Sequence, residues 1–134
     1  PFVEANFKVS ADAKNRALAG LSMGGLQTLH AGVRNSDVFN YLGVFSSGWW
    51  ANNTQLSDPQ YQYMQANKDK INSNIKEFWN SQGGVEDIAH ANCQIMMKKF
   101  DEMGVKYRYS EYAGGHTWPV WRHDLYLFSQ LLFK

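Results

Sequence analysis

A chain of 134 residues, 44% hydrophobic and 19% charged, has room for one hydrophobic core and the balance of a globular protein. Its formal net charge of +1, with no run of basic residues, removes any general electrostatic case for nucleic acid or an anionic membrane as partner. No apolar stretch reaches the roughly 18 residues of a membrane span, and a lone cysteine, Cys93, excludes an internal disulfide.

Pro1-Phe2-Val3-Glu4-Ala5-Asn6-Phe7 reads as a helix entered midway, with Phe2, Val3 and Phe7 on one face and no capping residue ahead of it. A fragment of a longer chain is therefore expected. Arg16 to Leu21 is a short apolar run suited to a strand, and after it Leu26, Leu29 and Val33 recur at helical spacing. Between the two, Ser22 stands in Gly20-Leu21-Ser22-Met23-Gly24. Strand, sharp turn and helix form the setting of a nucleophile elbow, where small flanking residues let the backbone fold back and a strained turn holds the serine hydroxyl out. The same residues also suit a plain glycine-rich turn with Ser22 as a helix cap, so the rest of the chain must decide.

Asn35-Ser36-Asp37 breaks the helical pattern, Tyr41 to Phe45 reads as a strand buried on both faces, and Ser46-Ser47-Gly48 ends it. Residues 49–73 turn polar and suggest a surface excursion or lid, with a helix start at Asp58-Pro59 and a short helix over Tyr61 to Asp69. Ile75 to Trp79 suggests another strand and Gly83-Gly84 a turn, although Asn80-Ser81-Gln82 is unexpectedly polar for the stretch between them. Ala89, Cys93, Met96, Phe100 and Met103 share one helical face, which makes Cys93 a small buried apolar residue, and Gly104 stands where a C-cap belongs. Val105, Tyr107 and Tyr109 alternate with polar residues as in a strand, and Gly114-Gly115-His116 makes a loop. Trp121, Leu125, Phe128 and Leu132 then form a last helical stripe, with Thr117 as cap and Pro119 in the first turn. Strands separated by helices predict one α/β domain with a mostly parallel sheet covered on both faces.

A serine hydroxyl needs a base, and the base needs an acid to fix its tautomer. In α/β-hydrolases the chain order is serine, acid, histidine, each on a loop at the carboxyl end of a strand. His30, His90 and His123 fall inside predicted helices, whereas His116 lies in a glycine-led loop. Asp87, after the third strand and its glycine turn, has the right order; Glu86 is its nearest substitute, and Asp58, Asp69 and Glu111 are more distant ones. Asp87 also suits a helix N-cap. Trp49, Trp50 and Trp118 are placed to stack on an aromatic acyl group or a sugar ring, or simply to pack. No His, Cys, Asp or Glu cluster has metal-ligand spacing, so neither a metal nor an organic cofactor is expected.

Asn15-Arg16-Ala17-Leu18-Ala19-Gly20-Leu21-Ser22-Met23-Gly24-Gly25, Gly84-Val85-Glu86-Asp87, Gly114-Gly115-His116-Thr117-Trp118 and the closing run from Trp121 to Phe133 together resemble a known family. It is the esterase family of esterase D-like proteins, mycolyltransferases and carbohydrate esterase family 1, and the likeness is strongest to bacterial feruloyl and acetyl xylan esterases. The resemblance implies an α/β-hydrolase fold of which this chain is the C-terminal half, the first half of the sheet lying upstream of Pro1. It implies ester hydrolysis through an acyl-enzyme, with Ser22 as nucleophile, His116 as base, Asp87 as orienting acid and the Met23 backbone N–H as one oxyanion donor, the second donor coming from the upstream half. An ester-substituted polysaccharide such as xylan would be the substrate, with a periplasmic or secreted location favoured. Two further readings stand beside it: an esterase for another small acyl donor, of the S-formylglutathione or siderophore-ester kind, and a non-catalytic polysaccharide-binding module.

Overall fold

Four strands, β1 (Ala17–Leu21), β2 (Tyr41–Phe45), β3 (Glu77–Gly83) and β4 (Arg108–Tyr112), lie side by side in that order in the computed structural model, which describes residues 2–48 and 59–134. Every neighbouring pair is parallel. Parallel neighbours require a crossover between them, and helices supply these. A short α1 (Phe2–Asn6) precedes β1; α2 (Met23–Arg34) links β1 to β2; α3 (Pro59–Ala66) and α4 (Lys68–Asn74) precede β3; α5 (His90–Met103) links β3 to β4; α6 (Trp118–Ser129) follows β4. The α/β arrangement expected from the sequence is present.

The unbroken apolar run of β2 divides its side chains between two cores. Leu42 and Val44 join Leu29 and Val33 of α2 and Met96 and Phe100 of α5 on one face. Tyr41 and Phe45 join Trp79 and Phe128 of α6 on the other. Phe78–Phe100 and Phe45–Phe128 ring contacts, with centroids at 5.2 and 5.8 Å, fasten the two layers to the sheet.

Several boundaries differ from the sequence pattern. β3 begins at Glu77 and runs through Gly83, so Asn80, Ser81 and Gln82 are strand residues and are fully buried. Backbone pairing with β2 on one side and β4 on the other carries them inside despite their polarity, and the Gln82 amide donates to the Tyr109 hydroxyl at 2.7 Å. β4 starts at Arg108 because Val105 is used elsewhere: its N–H returns to the Phe100 carbonyl, closing a Schellman-type cap around the left-handed Gly104 (φ 75°). The expected Tyr61–Asp69 helix is two helices meeting at Asn67, whose side-chain amide takes the Tyr63 carbonyl. Tyr61, Met64 and Ile71 from this region are core residues. The first part of the proposed excursion, 49–58, lies outside the described residues.

At the β1–α2 turn the chain doubles back at Ser22, which has φ 52° and ψ −120°. A Cβ on Gly20 would fall 2.3 Å from the Gly24 carbonyl carbon and oxygen, and one on Gly25 would fall 2.6 Å from the Ser47 Cβ. A Cβ on Gly24 meets nothing within 4 Å. The close approach thus rests on Gly20 and Gly25, while Gly24, the second glycine of the motif, has open space beside it. Gly20→Ala should lower stability by about 1–3 kcal/mol, since backbone cannot rotate aside as a side chain can. Gly24→Ala should leave stability unchanged or raise it slightly through helix propensity. Denaturant midpoints for the two variants check this; equal losses would contradict it.

Candidate active site

The parallel register ends β1 and β2 level with one another, Leu21 opposite Phe45, and β3 continues two residues beyond its Phe45 partner, Ser81. The turns after these three strands are therefore neighbours in space, although they are distant in sequence. Ser22 follows β1, Ser46 follows β2, and the Gly84–Ala89 loop follows β3. His116 comes from the loop between β4 and α6.

These turns bring Ser22, His116 and Asp87 into one chain of hydrogen bonds. His116 Nε2 lies 2.9 Å from the Ser22 Oγ, and His116 Nδ1 lies 2.7 Å from Asp87 Oδ1. Asp87 is buried at 3% exposure. Burial alone pushes its carboxyl up, but hydrogen bonds from the Ser46 hydroxyl, the Ala89 N–H, His116 and the Gly83 N–H outweigh burial and hold it below the ordinary carboxylate range. An ionised Asp87 only accepts, so Nδ1 carries the ring proton and Nε2 presents its lone pair to the Ser22 hydroxyl. The imidazole is further set edge-on to the Trp121 ring, with centroids 4.9 Å apart.

Met23 is the first residue of α2, so the helix itself offers its N–H no acceptor, and that N–H belongs to the positive end of the helix dipole beside Ser22. A cavity of about 410 Å³ opens onto Ser22 and His116. Met23, Leu26, Ile88 and Ala89 give it an apolar lining, and Ser47 and Asn92 add polar groups.

The other candidates are not brought to this point. Glu86, beside Asp87, is exposed; Asp69 is exposed on α4; Glu111 accepts from the Tyr109 hydroxyl at 2.6 Å and faces His90 at 3.7 Å. Asp58, Trp49 and Trp50 lie outside the described residues. Trp118 is 64% exposed and lines a separate cleft with Trp121, Arg122 and Leu125, outside the Ser22 cavity. Asp87 accepts the Ala89 N–H at 2.9 Å but is not the N-cap of α5, a place held by Ala89, so the cap reading gives way to a turn ahead of the helix that the Asp87 carboxylate closes. Ser46 escaped the sequence reading, in which it merely ended a strand. The signal available was its offset: it follows β2 as Ser22 follows β1. Among the described residues no three His, Cys, Asp or Glu side chains cluster as metal ligands.

Comparison with known proteins bears on the family and the fold. Residues 1–129 match the model of the Esterase family. All 134 residues align at 29% identity with an endo-1,4-beta-xylanase/feruloyl esterase of Xylanibacter ruminicola, of which they span 16%. A feruloyl esterase module from Clostridium thermocellum, solved with sinapinate, superposes with a TM-score of 0.79 at 22% identity, covering 99% of this chain and 54% of that one. An S-formylglutathione hydrolase from Staphylococcus aureus gives 0.79 at 17% identity, covering 97% and 56%. The last two share the fold, and this chain spans little more than half of either.

A second carboxyl is enclosed on the α6 side of the sheet. Asp124 is fully buried, and burial pushes it up to about 6, with His123 opposing the rise and the negative Asp87 adding to it. Because the folded value exceeds the unfolded 3.8, the stability this group contributes is complete below pH 3.8 and is lost as pH rises through about 6. The loss is about 3 kcal/mol by pH 8. In Asp124→Asn this dependence is absent, so the stability of the variant relative to the parent should climb between pH 4 and pH 8. Denaturant titrations at those two pH values measure it, and a constant difference would contradict it.

Proposed function

The chain belongs to the Esterase family, and from that membership we propose that it carries the nucleophile, base and acid of a serine carboxylic-ester hydrolase. The hydrogen-bond chain from Ser22 through His116 to Asp87 is the observation that carries this reading. Ser22 Oγ attacks the ester carbonyl as its proton passes to His116 Nε2. Asp87 keeps Nδ1 protonated and stabilises the imidazolium that forms. The Met23 N–H donates to the oxygen that becomes negative. The imidazolium then protonates the departing alkoxide, leaving an acyl-Ser22 ester, and a water activated by the same histidine releases the acid and restores Ser22.

The substrate proposed is a feruloyl or acetyl ester of plant cell-wall polysaccharide, xylan in particular. The cavity at Ser22 supports the aromatic acyl group over acetyl: Met23, Leu26, Ile88 and Ala89 line about 410 Å³, far more than a methyl group fills. The exposed Trp118 at the neighbouring cleft offers a stacking face for a sugar ring. Sequence kinship with the endo-1,4-beta-xylanase/feruloyl esterase supports the same choice.

In the whole protein, Ser22→Ala should lower hydrolysis of a feruloylated xylo-oligosaccharide by at least about 10⁴-fold with the fold intact. Spectrophotometric release of ferulate measures it, and activity near the parent level would overturn the reading. The parent should turn over the feruloyl ester at higher kcat/KM than either acetylated xylan or S-formylglutathione; preference for the thioester would replace the proposed substrate while leaving the mechanism standing.

A further inference from the structure

Two non-glycine residues at adjacent strand exits share an unusual backbone. Ser22, after β1, has φ 52°, and Ser46, after β2, has φ 44°. With Leu21 paired to Phe45, the two serines occupy equivalent places one residue past the pairing. Each N–H is held by the next strand, Ser22 N–H donating to the Phe45 carbonyl at 2.8 Å and Ser46 N–H to the Ser81 carbonyl at 2.7 Å. The elbow is in effect built twice. The two residues both line the cavity but differ in exposure, Ser22 being half-exposed and Ser46 completely buried.

A serine at positive φ carries a backbone cost that glycine would avoid, and such strain persists only where the surroundings over-determine it. At Ser46 the hydroxyl supplies the compensation. It donates to Asp87 Oδ2 at 2.5 Å, within the range of a strong charge-assisted bond. The Gly83 N–H takes the same oxygen at 3.1 Å, while Oδ1 receives the Ala89 N–H at 2.9 Å and His116 Nδ1 at 2.7 Å. Two of these four donors are backbone, fixed by β3 and its loop. Among the described residues, Ser46 is the one side chain, apart from His116 itself, that holds the carboxylate.

We propose that Ser46 is a positioning residue for the reaction: by engaging Oδ2 it locks the Asp87 carboxylate in the rotation that aims Oδ1 at His116. The inference rests on the assignment of Ser22, His116 and Asp87 given above. Without the hydroxyl, Asp87 retains its charge and its backbone donors but gains freedom to turn about its Cβ–Cγ bond. Among the described residues, His116 then becomes the carboxylate's sole side-chain partner, and the negative charge, less satisfied, draws harder on the Nδ1 proton.

The test uses Ser46→Gly and Ser46→Ala in the whole protein. Glycine removes the hydroxyl and the strain together, so its melting temperature should equal or exceed that of the alanine variant by a few degrees (about 3 °C). Both variants should lose about 10- to 100-fold in kcat for a feruloyl ester, with KM within about twofold of the parent, as for an interaction made in the transition state. The acid limb of their kcat/KM profile should move to higher pH, a readout that a packing defect would not move. Ser46→Gly with parental kcat and pH profile, in an enzyme that Ser22→Ala inactivates, overturns this proposal alone. An active Ser22→Ala protein overturns it together with the reading beneath it.

Discussion

A carboxylate enclosed to 3% exposure is the constraint around which this structure is arranged. A buried negative charge is tolerated only when donors surround it, and Asp87 collects its donors from four places: the β2 exit, the end of β3, the start of α5 and the β4–α6 loop. Each of these segments is thereby tied to the others. Moving any one would leave a buried oxygen short of a partner, at a cost of the order of 1–3 kcal/mol. The same bonds keep Asp87 ionised, which sets the His116 tautomer and turns its Nε2 toward Ser22.

Parallel pairing makes the convergence possible. Strands running the same way deliver their carboxyl ends to one edge of the sheet, and the loops that leave that edge need no secondary structure of their own to meet. The packing below holds the level constant. Phe45 and Phe128 on one face and Phe78 and Phe100 on the other clamp the central strands. At the turn itself Gly25 lets α2 approach Ser47 closely. The precision of the Ser22–His116 contact is in this sense a property of the sheet as much as of the residues that make it.

Elements whose burial follows a short-range period were legible in the sequence. Tyr41–Phe45 matched the strand, and the Ala89-to-Met103 stripe with its Gly104 cap matched α5, because in both the nearest neighbours along the chain determine the face. The Ser22, Asp87 and His116 trio was also within reach, since strand-end loops in a fixed chain order leave few choices. Asn80-Ser81-Gln82 was not, because backbone pairing on both sides buries those polar residues regardless of their character. Ser46 was hidden for a related reason. Its partner lies 41 residues away, and apart from its place one residue past β2 nothing local marks its hydroxyl. Of the motif glycines, only a three-dimensional view separates Gly20, where a Cβ would strike the Gly24 backbone, from Gly24, where a Cβ would meet open space.

The central claim is that His116, held by Asp87, activates Ser22 above every other hydroxyl in the chain. Treating the whole protein at neutral pH with a fluorophosphonate probe and mapping the adduct by peptide mass spectrometry measures this directly. The account predicts a single stoichiometric adduct on Ser22, formed at least about 10²-fold more slowly in His116→Ala. An adduct on another residue, or labelling of Ser22 that proceeds unchanged without His116, would contradict it.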